Sequence, residues 1–440
     1  MNAKGVLQAV RRQKIQFIHL WFVDILGQLK SFTITPHELE RALSDGMGFD
    51  GSSIEGFARI YESDLVAKPI PETFQVLPWY PKEAAVARMF CDILTPDGKQ
   101  FPGDSRCVLK RILADIAKEG WTFYAGPELE YFYFKSGNNP ECIDEGGYFD
   151  AVPSGNEEHD LRRRTIAYLE QLGIPVEYYH HEVSPSQHEI DLRYADALTM
   201  ADRVITHKVV VKQVAREQNV YASFMPKPVA GINGSGMHVH QSLFKKGRNA
   251  FYSPKDPYGL SDTARHFTAG ILHHAREICV VTNQWVNSYK RLVPGFEAPV
   301  YVCWGRKNRS AMVRVPACKP GREEAVRIEV RFPDPACNPY LAFAAMLAAG
   351  MSGIRGKYEL SKPVEADVYE MSALERKAQR IKTLPGSLIE ALETAEQSIL
   401  MRGLLGEHVF WQFLMNKRLE WDAYRTQVSD YEVKRYLPLL

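Results

Sequence analysis

The sequence predicts an α+β chain of more than one domain, and three observations carry that expectation. Up to about residue 103 short apolar strand-like runs accompany two short helices, from 121 to about 335 strands alternate with helices, and from 357 onward the apolar residues recur at helical spacing. At 440 residues the chain has room for two to four domains of ordinary size. Hydrophobic residues make up 45% and charged residues 24%, and 54 Lys and Arg against 53 Asp and Glu leave a net charge of +1. That balance excludes a disordered chain and a strongly nucleic-acid-binding one. Seven cysteines without a CxxC pair argue against a disulfide framework and a thiolate zinc site, and they suit a reducing compartment. The longest nearly apolar run, 340–350, falls short of the roughly 20 residues that span a bilayer. Residues 1–14 are polar and basic, so a soluble, cytoplasmic protein with no membrane partner is expected.

After a short polar N-terminal helix, residues 15–24 and 28–34 read as two strands joined through Ile25-Leu26-Gly27. Pro36 and Gly46 bracket a helix over 37–45, and 74–79 and 86–94 supply two further strands. The stretch 95–103 is dense in Pro, Asp and Gly, after which Asp104 or Ser105 caps a helix to 119. A domain boundary is placed near 103, giving domains 1–103 and 104–440. Residues 131–134, Tyr-Phe-Tyr-Phe, read as core, and 342–350 as a buried helix. The apolar tail 436–440 is expected to dock rather than float, which points to an oligomer.

Charged residues recur two apart in several strand-like segments, so that both side chains leave one face. Glu128 and Glu130 do this between apolar neighbours, His238, His240 and Ser242 repeat it, and Arg327, Glu329 and Arg331 repeat it again. Further acids flank a Ser-Pro-Ser turn at Glu177, Glu182, Glu189 and Asp191, with His180, His181 and His188 beside them as core groups or ligands. One such pair alone reads as a solvated edge strand. If the strands share a sheet, however, Glu128, Glu130, Glu182, Glu189 and Glu329 converge beside His238. Two unit charges about 5 Å apart repel by roughly 3 kcal/mol at an effective dielectric near 20, so the cluster calls for cations. Oxygen donors with one imidazole and no thiolate select Mg²⁺ or Mn²⁺ before Zn²⁺, and two or three ions suit the ligand count.

Between Lys290 and Arg331 stand ten Lys and Arg against four Glu. Base-stacking aromatics are not interleaved among them, so a small phosphate fits this stretch better than a nucleic acid. Acid-bound metals beside arginines are what phosphoryl transfer needs. No Walker A sequence is present, and 231–236 is not a dinucleotide fingerprint. Asp50, between Phe49 and Gly51, reads by itself as a turn residue.

These residues together closely resemble the glutamine synthetases of type I over essentially the whole chain. The resemblance rests on Phe49-Asp-Gly-Ser-Ser-Ile-Glu-Gly56, the Glu128-x-Glu130 strand, His180-His-Glu182 with Gln187-His-Glu189, and Asn233-Gly-Ser-Gly-Met-His-Val-His240. It continues through the Asn287 to Pro299 motif, Asn308-Arg-Ser310 and Arg327-Ile-Glu-Val-Arg331, all in family order. It implies a β-grasp N-terminal domain, then an α+β catalytic domain built on a curved antiparallel sheet. It also implies a homo-oligomer, a dodecamer of two hexameric rings with active sites between neighbouring subunits and the C-terminal tail bridging rings.

The resemblance implies ATP-dependent ligation of ammonia to L-glutamate through a γ-glutamyl phosphate, with release of ADP and phosphate. One metal falls to Glu130, Glu182 and Glu189, and a second to Glu128, His238 and Glu329. ATP falls to Glu177, Tyr194, His240, Ser242, Arg314 and Arg327, and glutamate to Asn233, Gly234, Arg291, Glu297, Arg309 and Arg331. Arg309 neutralises the moving phosphoryl group. Ammonium falls to Asp50 of the adjoining subunit with Ser53, Tyr148 and Glu182. Asp50 takes the proton, and Glu297 closes over the intermediate.

Ser186 stands where the family usually has glycine, Phe332 where a smaller residue is usual, and Gly305-Arg306-Lys307 is unusual before Asn308; none removes a ligand. The chain resembles the shorter, alpha-type branch, in which Arg59 matches a position tied to feedback inhibition by glutamine. Tyr61 departs from the acid usual nearby. Tyr369 lies near the tyrosine adenylylated in the longer branch, a control the shorter chain argues against. Two rival functions are a ligase joining glutamate to a polyamine or other amine, and a glutamine-sensing partner of a regulatory protein. The first usually lacks the ammonium residues present here, and a purely structural descendant should have lost a ligand.

Overall fold

The computed structural model describes residues 1–52, 54, 56, 64–149, 157–319 and 321–440, the side chains of 157–159 excepted. Ser53, Arg59 and Tyr61 therefore lie outside the described residues. The chain opens with α1 (Ala3–Arg12), which buries Val6, Ala9 and Val10. The hairpin of β1 (Phe17–Val23) and β2 (Leu29–Ile34) turns on Asp24, whose carboxylate accepts the amides of Leu26 at 3.0 Å and Gln28 at 2.8 Å. Helix α2 (Leu39–Asp45) ends where Gly46 takes φ 84°. Strands β3 (Met47–Asp50), β4 (Asp64–Pro69), β5 (Gln75–Val76) and β6 (Val86–Leu94) complete a sheet ordered β2-β1-β6-β4-β3, with β5 also on β6. Its β1–β6 pair is parallel and the others antiparallel, the β-grasp arrangement.

Two expectations change here. The strand expected over 74–79 is confined to Gln75–Val76, because a 3-10 turn over Pro71–Thr73 precedes it and Pro78 has no amide to give a ladder. Asp50, read as a turn residue, ends β3 opposite Asp64.

The second unit starts at α3 (Ser105–Lys118), capped by Asp104, whose side chain accepts the Arg106 amide at 2.9 Å. Its sheet is assembled from β7 (Trp121–Phe134), β8 (Val176–His181), β9 (Gln187–Leu192), β10 (Ala195–Asp196), β11 (Tyr221–Ser223), β12 (Met237–Lys245), β13 (Arg248–Asn249), β14 (Tyr301–Gly305), β15 (Ala311–Arg314), β16 (Ile328–Val330) and β17 (Lys382–Thr383). The order is β17-β14-β15-β16-β12-β7-β9-β8, with β10 and β11 added to β7 and β13 to β12. It is strongly curled, and among the described residues every pair except β14–β15 is antiparallel.

Helices α4 (Glu157–Gln171), α5 (Ala197–Glu217), α6 (Asp262–Thr282), α7 (Ser288–Arg291) and α8 (Pro339–Gly356) follow between and after these strands. The run Tyr131 to Phe134 is buried as expected, and α8 is buried along nearly its whole length against α6. The C-terminal third is helical in α9 (Ala373–Ala378), α10 (Leu388–Glu396), α11 (Ile399–Arg425), which bends at Gly406, and α12 (Asp430–Tyr436). Leu437, Leu439 and Leu440 are exposed on this chain. Among the described residues no helix is long and apolar enough to cross a membrane.

Candidate active site

The strand registers bring the alternating charged residues together. Glu130 faces Glu189 across the β7–β9 ladder and Glu189 faces His180 across β9–β8. One step along, Glu128 faces Asp191 on one side and His238 on the other, and His240 faces Glu329. Carboxylates directly opposite one another on a buried face destabilise a sheet unless something positive lies between them. Half of this cluster has that compensation. His238 Nδ1 stands 3.1 Å from Glu128 and 3.8 Å from Glu329, His240 Nε2 2.6 Å from Glu128, and Arg314 Nε donates to Glu329 at 2.5 Å. Burial alone would raise both acids, but His240 and His238 hold Glu128 well below the usual range, and His240 and Arg331 hold Glu329 below it.

The other half is compensated less. Glu130 accepts the side-chain amide of Gln187 at 2.8 Å and the Gly236 amide at 3.0 Å, with His238 Nε2 4.0 Å away, and burial outweighs His238 and Arg291 to raise it. Burial and then Glu130 push Glu182 up to about 9, while burial and Glu128 push Asp191 up to about 7. Burial and Asp191 raise Glu189 well above its ordinary value. His180 Nε2 lies 3.6 Å from Glu182 and 3.7 Å from Glu189. Potential ligand atoms of Glu128, Glu189 and His238, and of His180, Glu182 and Glu189, lie within 4.8 Å of one another. Oxygen-rich donors with one or two imidazoles and no thiolate fit hard divalent ions, so this side of the sheet is suited to hold Mg²⁺ or Mn²⁺.

Two cavities meet over this face. The larger, of about 730 Å³, is lined by Glu128, Glu130, Glu182, Glu189, His238 and Glu329, by Asn233, Gly234 and Glu297, and by Arg291, Arg309, Arg314 and Arg331, with Tyr148 at its side. The smaller, of about 220 Å³, is lined by Glu177, Tyr194, His240, Ser242 and Arg327, together with Tyr124. Glu128 and Tyr178 line both. Arg327 donates to His240 Nδ1 at 3.0 Å. Arg291 is spent on the carbonyls of Phe332 at 2.8 Å and Pro333 at 3.2 Å, whereas the buried Nε of Arg331 has no hydrogen-bond partner. Gly234 must be glycine, because a Cβ there would sit 2.2 Å from the Pro226 carbonyl oxygen. Glu297 holds φ 52° and accepts from Asn233 Nδ2 at 3.3 Å.

Of the residues expected in the site, the structure gathers all but three into these cavities. Asp50 is not in the lining, and Ser53 and Arg59 lie outside the described residues. Sequence reasoning assigned no role to Asp191, Tyr178, His180, Asp367 or Tyr369, all of which line one cavity or both. Asp191 was within reach of the rule that found the rest, standing two residues after Glu189. Tyr369, considered only for modification, donates its hydroxyl to the Ala298 carbonyl at 2.5 Å on the cavity wall.

The glutamine synthetase β-grasp domain family matches residues 14–96, and the glutamine synthetase catalytic domain family matches 102–436. A glutamine synthetase of Mycolicibacterium smegmatis is 54% identical, covering 99% of this chain and 98% of that protein. One of Thermotoga maritima is 48% identical over all of both chains. Among solved structures, a GmaS complex with ADP superposes with a TM-score of 0.88 at 31% identity, covering 98% of this chain and 99% of the other. Glutamine synthetase from Plasmodium falciparum, solved by cryo-EM, superposes at 0.89 and 27% identity over 99% of each chain. With both domains matched in order and half of the residues identical to such relatives, the chain belongs to the glutamine synthetase family.

Proposed function

We propose that this chain is a glutamate–ammonia ligase. It joins ammonia to the side-chain carboxylate of L-glutamate and forms L-glutamine, ADP and phosphate. The observation that carries the reading is the meeting of a tyrosine-lined cavity and an arginine-lined cavity at Glu128, over a floor of opposed carboxylates. ATP lies in the smaller cavity among Glu177, Tyr194, His240, Ser242 and Arg327, and its phosphates reach toward Arg314 and Arg309. Glutamate lies in the larger one, its carboxylates met by Arg331 and by the Asn233–Gly234 segment, with Arg291 as a rigid wall.

Two or three Mg²⁺ or Mn²⁺ ions held by Glu130, Glu182 and Glu189 and by Glu128, His238 and Glu329 would supply charge neutralisation at the phosphates. An oxygen of the glutamate side-chain carboxylate attacks the γ-phosphorus, and ADP leaves with the bridging oxygen. The Arg309 guanidinium offsets charge on the transferring group. The acyl phosphate so formed is attacked by ammonia, and inorganic phosphate departs from the acyl carbon. Ammonia arrives as ammonium, so a proton must be removed before nitrogen has a lone pair. Asp50 of an adjoining copy takes it, beside Ser53, Tyr148 and Glu182. Glu297, held in a backbone conformation that costs a residue with a side chain, closes the cavity and keeps water from the intermediate.

The wider reading follows the family. The chain works in the cytoplasm as a dodecamer of two hexameric rings, belongs to the alpha-type branch, and is inhibited by glutamine through Arg59. Glutamine formation from ATP and glutamate with ammonium, run beside a panel of alkyl amines and polyamines in Mg²⁺ and in Mn²⁺, tests the activity. Ammonium should be preferred by a wide margin. A polyamine consumed faster than ammonium would replace this reading with the amine-ligase one.

A further inference from the structure

Behind the cavity wall, the segment 142–149 lies across the turn that joins β8 to β9, which carries Glu182 and leads into Glu189 on β9. Its contacts are unusually concentrated on one carboxylate and one hydroxyl. Asp144 Oδ1 accepts the Ser186 amide at 2.6 Å and the Gly146 amide at 3.0 Å, and stands 3.2 Å from His181 Nε2. His181 Nδ1 faces the Glu182 carbonyl at 2.5 Å, so one imidazole lies between Asp144 and the backbone of Glu182. From the opposite side, the Ser186 hydroxyl accepts the Ile143 amide at 2.7 Å and the Asp144 amide at 3.3 Å.

Ser186 does this at φ 61°, a left-handed conformation that disfavours any residue with a side chain. Glycine would be less strained there but would offer no hydroxyl. Gly146, at φ 85°, packs so closely that a Cβ would fall 2.7 Å from the Pro185 nitrogen. At the far end of the segment the Phe149 amide donates to the His181 carbonyl at 3.1 Å, and Tyr148 stands against His180 with ring centroids 5.7 Å apart.

We infer that Asp144 and Ser186 are positioning residues for ammonia capture. They clasp the segment bearing Tyr148 onto the β8–β9 turn, so that Tyr148 and Glu182 keep one spacing at the cavity wall. The inference rests on the ammonium-pocket reading of Tyr148. His188 fits the clasp as packing. It is fully buried, with its ring 4.6 Å from that of His181 and its Nε2 3.7 Å from Asp144 Oδ2. The ligand atoms of Asp144, His181 and His188 are also close enough to share a cation. Asp144 Oδ1 is taken by two amides, whereas its Oδ2 and both ring nitrogens of His188 have no hydrogen-bond partner, so the test includes metal content.

The test measures KM for ammonium, glutamate and ATP, with kcat and bound transition metal, in the full-length oligomer carrying Asp144→Ala, Asp144→Asn, Ser186→Gly or Tyr148→Phe. Asp144→Ala should raise the ammonium KM on the order of tenfold, with the glutamate and ATP KM values within about twofold of the parent. Asp144→Asn keeps the Oδ1 acceptor and should recover most of that loss. Ser186→Gly should raise the ammonium KM by a smaller factor, about threefold, since it relieves φ while dropping the hydroxyl. If Asp144→Ala does not fold, Ser186→Gly still decides, because a loss of general stability would not single out ammonium.

An unchanged ammonium KM in Asp144→Ala and Ser186→Gly, or equal movement of all three KM values, overturns the clasp. So does a tightly held transition-metal ion that Asp144→Asn releases. If Tyr148→Phe raises the ammonium KM and the clasp variants do not, the clasp alone is wrong. If Tyr148→Phe itself leaves it unchanged, the pocket reading falls first.

Discussion

Burial and neighbouring acids raise Glu182 and Glu189 above the ordinary carboxylate range. A carboxyl raised in the folded chain binds a proton that the unfolded chain has already lost. Its contribution to stability is therefore present at low pH and disappears as pH climbs from the ordinary carboxylate range through the raised value. For Asp191 and Glu182 that window ends at about 7 and about 9. The metal-free protein should melt at progressively lower temperature as pH is taken from 6 to 9. Added Mg²⁺ or Mn²⁺ should restore most at the alkaline end, and Mn²⁺ should bind more tightly there, since it displaces those protons. A metal-free melting temperature that does not change across this window removes the cation-cage argument. Glu297 makes a different kind of prediction. With Glu297→Ala the cavity should admit water, and phosphate should be released faster than glutamine is formed; matched yields would show that the side chain is no lid. The acids of the cage were legible in the sequence because a two-residue period on a strand sends alternate side chains to one face. Asp191 shares that period and is buried in the same ladder. No role was given to it because nothing in the sequence says which two strands flank Glu128.

Helices α6 and α8 form the layer behind the sheet, and their closeness is set by residues without side chains. A Cβ on Gly353 would come within 2.1 Å of the His266 carbonyl oxygen, and one on Gly270 within 2.2 Å of the Ala349 carbonyl oxygen. Both obstacles are backbone, so neither can swing aside. Gly353→Ala gains helix propensity, worth about 1 kcal/mol, and loses more than that by forcing the helices apart, with overpacking costing about 1–3 kcal/mol. A net fall in the unfolding midpoint is expected in thermal or urea melts, with the active-site residues untouched; an unchanged or raised midpoint would mean that the helices can separate freely. The element pattern of this layer was readable, as 342–350 has no polar face and so must be enclosed. The N-terminal strands were harder. β1, β2 and β6 alternate or run apolar and were found, while β3 contains Gly48 and ends in Asp50, a composition that signals a turn until β4 pairs with it. Phe74, Leu77 and Trp79 gave the look of a strand to a segment whose pairing with β6 covers Gln75 and Val76 and ends with the Leu77 amide donating to the Val86 carbonyl at 2.8 Å, just before Pro78.

At the scale of the whole molecule, one chain does not contain every group the proposed reaction needs. The cavities hold the cage, the arginines and Tyr148, but Asp50 lies on β3 in the N-terminal domain and lines neither cavity. The C-terminal segment adds a second sign of association, since Val428, Tyr431, Leu437, Leu439 and Leu440 are exposed together, apolar surface that a solitary chain would leave in water. In the proposed assembly, head-to-tail contacts within a ring would bring Asp50 of one subunit to the cage of the next, and contacts between rings would cover the C-terminal segment. That arrangement has a consequence that a site built within one chain lacks. Asp50→Ala and Glu189→Gln should each abolish glutamine formation when present in every subunit. If the two variants are dissociated, mixed in equal amounts and reassembled, about a quarter of the sites in a random ring should pair an intact Asp50 from one chain with an intact Glu189 from the next. Activity should return toward that fraction, and only in the fraction that elutes as the reassembled oligomer. Recovery that stays at the level of the separate variants, although the mixed rings have formed, would place the proton acceptor and the cage on the same chain.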